Sequence, residues 1–293
     1  AAGAKHCVAL RNNGCVVCWG DNFYHQVDVP DDLTNAVAIA AGYRHSLALR
    51  KDGRVVCWGD NSYNQSTIPA GLSNVVAIAA GGYNSMALKG DGRVVCWGDN
   101  SSNQLTIPAG LSNVVAITVG VYPCMALKSD QSVVSWGSEN SYEGATGMVA
   151  IAAADNYCLG LRKNGCVAGW GFMSYWTPIP SGLGQVVAIA AGGNKDNCLA
   201  LKADGSVVRW EQGNTEGEVP SGLTGVAAIS CNGFDFNHSY CMALIPSVRL
   251  NPQSLDTDGD GLPDKWEVDH GYNPADNSDG MADPDHDGLT NGQ

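Results

Sequence analysis

Apolar residues in this chain come in short runs cut off by glycine, aspartate, asparagine or proline, and three such runs keep returning. One reads VVAIAAG at 75–81 and 186–192, with looser copies beginning at 36, 114, 148 and 226. The second, HSLAL at 45–49, is varied as HCVAL, NSMAL, PCMAL, YCLGL, NCLAL and YCMAL. The third, GRVVCWG, carries a tryptophan. Runs this short, rich in valine and isoleucine and bounded by turn formers, predict β-strands rather than helices. Between the second and third runs lie RKDGR (50–54) and RKNGC (162–166), which read as two-residue Asp-Gly and Asn-Gly hairpin turns. The polar remainder, DNSYNQSTIPAGLSN in its clearest copy, is connector with room for a short outer strand.

The tryptophans set the period. They stand at 19, 58, 97, 136, 170 and 210, spaced by 39, 39, 39, 34 and 40 residues. Several strands per unit at this period point to a β-propeller, and the antiparallel hairpin favours it over a parallel solenoid. The unit AVAIAAGYRHSLALRKDGRVVCWGDNSYNQ (36–65) resembles the repeat of the regulator of chromosome condensation family, particularly its compact bacterial versions. It is also similar to the propeller of the secreted bacterial β-lactamase inhibitor. The resemblance spans residues 1–245 and implies an all-β, seven-bladed propeller. It further implies a face that binds another protein, as in the family's guanine-nucleotide exchange factors and lactamase inhibitors. The copies do not close evenly: there are seven LAL-type runs against six tryptophan runs and six VAIA-type runs. The first unit begins at AAG and the last ends at CMALI, so one blade or edge is expected to stay incomplete and invite a strand from elsewhere.

Composition supports a tightly turned β architecture, with 37 glycines and only 15% charged residues in 293. A net charge of −13 argues against nucleic-acid or anionic-membrane partners, which need a basic footprint. The charge is uneven: from Asn251 to Gln293 there are 11 acidic residues against one lysine. This divides the chain into a propeller (1–245), a linker (246–255) and an acidic tail (256–293). No run approaches a membrane span. The start AAGAKH lacks Met, so a mature form or a fragment is expected. Eleven cysteines favour an oxidising compartment, and so a secreted or cell-surface protein.

Placed on strands, the cysteines can be sorted. With Asn12-Asn13 as a two-residue loop, Leu10 faces Cys15 and Cys7 faces Cys18. Cys15 and Cys18 then point to opposite faces, so their C-x-x-C can neither chelate one zinc nor act as a redox pair. A Cys7–Cys18 disulfide is expected, with Cys231–Cys241 the next candidate. Cys57 and Cys96 are expected to face Ser46 and Ser85 as core thiols.

The tail holds the sharpest chemistry. DTDGDGLPDKWE fits the calcium loop D-x-D-x-D-G-x-x-D-x-x-E. Asp256, Asp258 and Asp260 supply oxygens, Gly261 the sharp turn, Leu262 a carbonyl, Asp264 a ninth-position ligand and Glu267 a bidentate one. A second copy at Asp283, Asp285, Asp287, Leu289 and Asn291 stops before its twelfth position, and the natural chain is expected to run on to a glutamate there. The tail resembles the thrombospondin type-3-like, EF-hand-like repeats that end many secreted bacterial proteins; Ca²⁺ is the implied cofactor.

No catalytic constellation stands out: there is no G-x-S-x-G, P-loop or H-E-x-x-H, and the six histidines are scattered. A non-enzymatic module is the expected reading, with other proteins or copies of the chain itself as partners and a polymer as one outcome. An enzyme inhibitor, or a sugar-binding or hydrolytic propeller, is the alternative. Partner contacts are expected from aromatic connectors: Phe23 and Tyr24, and Phe172, Met173, Tyr175 and Trp176.

Overall fold

The computed structural model describes residues 1–137, 145–171, 179–193, 197–211, 214–217, 219–235 and 238–245. The chain divides into two compact units, Ala1–Ile245 and Pro246–Gln293, and all described residues lie in the first.

Each recurring run forms one strand of a radial sheet. The VAIA runs are inner strands: β3 (Ala36–Ala41), β6 (Val75–Gly81), β9 (Val114–Val119), β12 (Met148–Ala153), β15 (Val186–Gly192) and β19 (Ala228–Asp235). The LAL runs are middle strands: β1 (His6–Leu10), β4 (His45–Arg50), β7 (Asn84–Lys89), β10 (Cys124–Lys128), β13 (Tyr157–Arg162), β16 (Asn197–Lys202) and β20 (His238–Leu244). The tryptophan runs follow as β2 (Val16–Gly20), β5 (Val55–Gly59), β8 (Val94–Gly98), β11 (Val133–Trp136), β14 (Val167–Gly171) and β17 (Val207–Glu211). The connector after β17 adds a short outer strand, β18 (Asn214–Gly217). All pairings are antiparallel, and the described residues contain seven sheets, the expected number of blades. The first sheet (β1–β2) and the last (β19–β20) have two strands each, where the others have three or four.

The inner strands, joined by Ala1 and Ala2, line a central channel of about 270 Å³. The ends meet where the Ala2 N–H donates to Ser230 Oγ at 3.1 Å and Asn232 Nδ2 donates to the Ala41 carbonyl at 3.4 Å. The apolar core lies between sheets. Trp97 packs with Leu47, Leu49 and Val55 of the preceding sheet, and Trp136 with Met86 and Leu88. Each fully buried leucine contributes about 2 kcal/mol. The tryptophans are thus sheet-to-sheet packing residues.

The hairpin turns differ from expectation by one residue, with consequences for the cysteines. Arg11 N–H donates to the Cys15 carbonyl and Gly14 N–H to Arg11, so the loop is Asn12-Asn13-Gly14 with Gly14 at φ 80°. Positive φ suits glycine, and a three-residue loop ending in this conformation is the next commonest hairpin solution. The same loop recurs at Lys51-Asp52-Gly53. Cys7 therefore opposes Trp19, and Cys18 opposes Val8. The two sulfurs fall on opposite faces, both thiols are free, and the expected Cys7–Cys18 bridge is replaced by two separate thiols. Cys57 and Cys96 oppose Leu47 and Met86, not serines. Burial pushes the Cys57 thiol up to about 12 and Cys96 upward as well. Cys231 and Cys241, directly opposed on β19 and β20, form a disulfide.

Candidate binding face

Each outer strand ends opposite the start of its middle strand: Gly20 pairs with His6, Gly59 with His45, and Gly98 with Asn84. The connector leaving the tryptophan strand and the turn between inner and middle strands therefore share one end of the propeller. Aromatic side chains collect there.

The connectors D-N-x-x-x-Q at 21–26, 60–65 and 99–104 are held by a repeated buried latch. The side-chain oxygens of Gln26 and Gln65 accept from the N–H groups of Tyr24 and Tyr63, both at 2.8 Å, and Gln104 accepts from Ser102 at 2.9 Å. The carbonyls of the three glutamines accept from the indoles of Trp58, Trp97 and Trp136 in the following sheet at 3.0, 2.9 and 2.8 Å. Ser46 and Ser85 hydroxyls donate to the Gln26 and Gln65 carbonyls. His6 Nε2 meets Ser46 Oγ at 2.9 Å, and His45 Nε2 meets Ser85 Oγ at 3.1 Å. Burial holds His6 down to about 4 and His45 to about 3, so both imidazoles are neutral structural groups. They are not channel-lining ligands.

The latch fixes the backbone on either side of Tyr24 and Tyr63, and the rings build outward from it. Phe23 and Tyr24 meet edge to face at 4.9 Å. Arg44 stacks 4.4 Å over the Tyr24 ring and donates to its hydroxyl at 2.8 Å. Tyr63 lies 4.8 Å from Tyr83, which meets Tyr43 edge to face at 5.6 Å. The outer members are open to solvent: Phe23 is 79% exposed, Tyr63 47% and Tyr122 42%.

At the channel mouth the Tyr43 hydroxyl donates to Asp155 Oδ2 at 2.8 Å, joining the second sheet to the fifth. Burial raises the Asp155 carboxyl to about 7, and the Tyr43 hydrogen bond only partly offsets it. Gly120 borders the same mouth, where a Cβ would collide with the Ala154 carbonyl. A buried acid accepting from the phenol of another sheet ties the ring together.

Of the residues expected to contact a partner, Phe23 and Tyr24 lie on this face, while Phe172, Met173, Tyr175 and Trp176 fall outside the described residues. So do the calcium ligands of the tail. Sequence reasoning missed Tyr43, Arg44, Tyr63, Tyr83 and Tyr122. The signal was present in the position before each middle strand, occupied by Tyr43-Arg44, Tyr83 and Tyr122 in successive units.

Residues 1–26, 36–65 and 75–104 match the regulator of chromosome condensation (RCC1) repeat, and residues 256–277 match the bacterial TSP3 repeat. Comparison with curated proteins finds no match. Among solved structures, Prp20p from Saccharomyces cerevisiae, characterised for its binding to Gsp1p and histones, is similar at a TM-score of 0.66 and 20% identity, covering 83% of this chain and 81% of its own. The ectodomain of the Physcomitrella patens receptor kinase CR4 is similar at 0.66 and 22% identity, covering 82% and 70%. Human WBSCR16 is similar at 0.65 and 17% identity, covering 84% and 86%.

Proposed function

We propose that this RCC1-like repeat propeller, followed by a TSP3-type tail, is a non-enzymatic protein-binding module that works outside the cell and meets its partner on the aromatic face. The carrying observation is the exposed row of Phe23, Tyr63 and Tyr122, backed by the Arg44–Tyr24 stack. Rigid aromatics and an arginine held by a buried scaffold are what protein-binding hot spots are made of. The binding of Gsp1p and histones by the structurally similar Prp20p supports the use of such a scaffold for protein partners. The extracellular setting is supported by the Cys231–Cys241 disulfide and by the calcium loop.

In the tail, Asp256, Asp258, Asp260, the Leu262 carbonyl, Asp264 and Glu267 would hold one Ca²⁺, an all-oxygen set of the right number for that hard cation. Without the ion these carboxylates repel one another, so calcium would order the segment.

The test places a photo-crosslinking phenylalanine analogue at position 23, 63 or 122, with position 31 as control, on the protein exposed to secreted and surface fractions. One protein crosslinked from all three face positions and not from the control is the expected result; labelling no better than the control overturns the reading. Capture of a glycan that Tyr63→Ala abolishes would instead favour the sugar-binding alternative. Calorimetric titration is expected to give saturable Ca²⁺ binding that Glu267→Gln weakens about tenfold or more.

A further inference from the structure

The turn between β12 and β13 carries a carboxyl group that the chain itself leaves half used. Asp155 is only 7% exposed, and its Oδ2 accepts from the Tyr43 hydroxyl at the channel mouth. Among the described residues no second hydrogen bond reaches its side chain, and no lysine or arginine pairs with it. Asp155 lines the central channel beside Gly82, Gly120 and Val121. These groups and Tyr43 come from the turns between inner and middle strands of the second to fifth sheets, so this side of the mouth is built without either terminus.

A carboxyl group buried with a single donor is costly to ionise, and burial pushes Asp155 up to about 7 as a result. A positive charge within hydrogen-bond reach would relieve that cost. The surroundings favour the same sign. Backbone oxygens crowd this rim: those of Val119 and Gly120 lie against Gly81 of the third sheet, and that of Ala154 against Gly120. Gathered carbonyl oxygens present the negative ends of their dipoles and stabilise a cation. Apolar contact is at hand too. Gly82 packs on Val121, and Tyr122, 42% exposed, follows it in the chain with its N–H donating to the Asp155 carbonyl at 3.3 Å.

We propose that this mouth is a lysine pocket: the protein partner of the aromatic face inserts one lysine side chain, whose ammonium bonds Asp155 Oδ1 and whose methylene stem lies along Val121 and Tyr122. Lysine fits better than arginine. With Oδ2 already holding Tyr43, one carboxylate oxygen is open, whereas a guanidinium fork asks for two. An ammonium is a compact charge with three donors, and the rim carbonyls can accept those that the carboxylate does not. A calcium ion collects roughly six to eight oxygens, several of them carboxylate; among the described residues this mouth offers one carboxylate. The inference rests on the protein-binding reading of the aromatic face and adds the residue type that this face selects.

The probe is the tripeptide acetyl-Gly-Lys-Gly-amide, titrated into the isotope-labelled whole chain at pH 8, where the Asp155 carboxyl is mostly ionised. Saturable NMR shifts of the Gly120, Val121 and Asp155 amides are expected, with a Kd of about 1 mM or tighter. Asp155→Asn, which keeps an acceptor for Tyr43, is expected to stay folded by circular dichroism and to bind about tenfold more weakly or worse. A tripeptide with norleucine in place of lysine is expected to lose as much. No saturation up to about 10 mM, undiminished binding by Asp155→Asn, or equal binding of the norleucine peptide would overturn the proposal. So would Ca²⁺ saturably shifting the same three amides, which would assign the mouth to a metal, or butane-1,4-diamine binding more tightly than the tripeptide, which would assign it to free amines. Lys195, between β15 and β16 and outside the described residues, is the chain's own competitor for this acid. Lys195→Ala is expected to leave the tripeptide affinity unchanged; a tenfold gain would mean that the acid already has its cation, and the pocket would fall. One protein crosslinked from positions 23, 63 and 122, together with no lysine binding, would sink this inference and leave the binding face standing.

Discussion

His45 sits at a position that the next unit gives to Asn84, yet both are fully buried, so the site asks for a polar group and not for a charge. Its imidazole is held down to about 3 by burial, from an ordinary value of 6.5. In the unfolded chain it takes up a proton more readily, so its contribution to stability is present above about pH 6.5 and is lost as pH falls toward 3. Asp155 runs the other way. Its carboxyl is raised by burial to about 7 from 3.8, so its contribution is full below about pH 4 and is lost as pH rises to 7. Comparing Tm across pH 4–7 for the parent, His45→Asn and Asp155→Asn separates the two. His45→Asn is expected to fall less toward acid than the parent, and Asp155→Asn to fall less toward neutrality. The tryptophans offer a second residue-scale contrast. Trp97→Ala, which empties a packed core site and removes one of the two donors to the Gln65 carbonyl, is expected to cost about 3–5 kcal/mol in denaturant unfolding. Trp19→Ala, at a position already 49% exposed, is expected to cost less than half of that.

At the scale of strands and turns, period and alternation carried the three runs of each unit straight into inner, middle and outer strands, because each run is short, branched and fenced by turn formers. Register was less legible. KDG and NNG look like two-residue turns, but Gly53 and Gly14 adopt positive φ as the third loop residue, and that one-residue step moves every opposed pair. The Cys7–Cys18 pairing failed for this reason, whereas Cys231 and Cys241 meet across β19 and β20. The aromatic face was only half legible, since rings from different sheets come together through the latch made by Gln26 and Gln65, which no local pattern reveals. Gly53→Ala is expected to destabilise the chain by about 1 kcal/mol, measured by urea unfolding, because alanine must take φ 78° there. Amide exchange is expected to be faster in β1–β2 and β19–β20 than in β6–β8, since among the described residues those sheets have two strands against three.

Across the propeller, stability is spread over nearly equal neighbours, the second to sixth sheets each packing their tryptophan on the one before. The meeting of the first and last sheets is different in kind. There, among the described residues, the contacts are side-chain hydrogen bonds, Ala2 with Ser230 and Asn232 with Ala41, instead of shared strands. Mechanically, such a ring is a clasp. Tension applied between residues 1 and 245 enters at adjacent sheets and peels them singly instead of shearing the whole assembly at once. In an optical trap the chain would lengthen in a staircase, each step releasing one repeat of about 39 residues, or roughly 13 nm of contour.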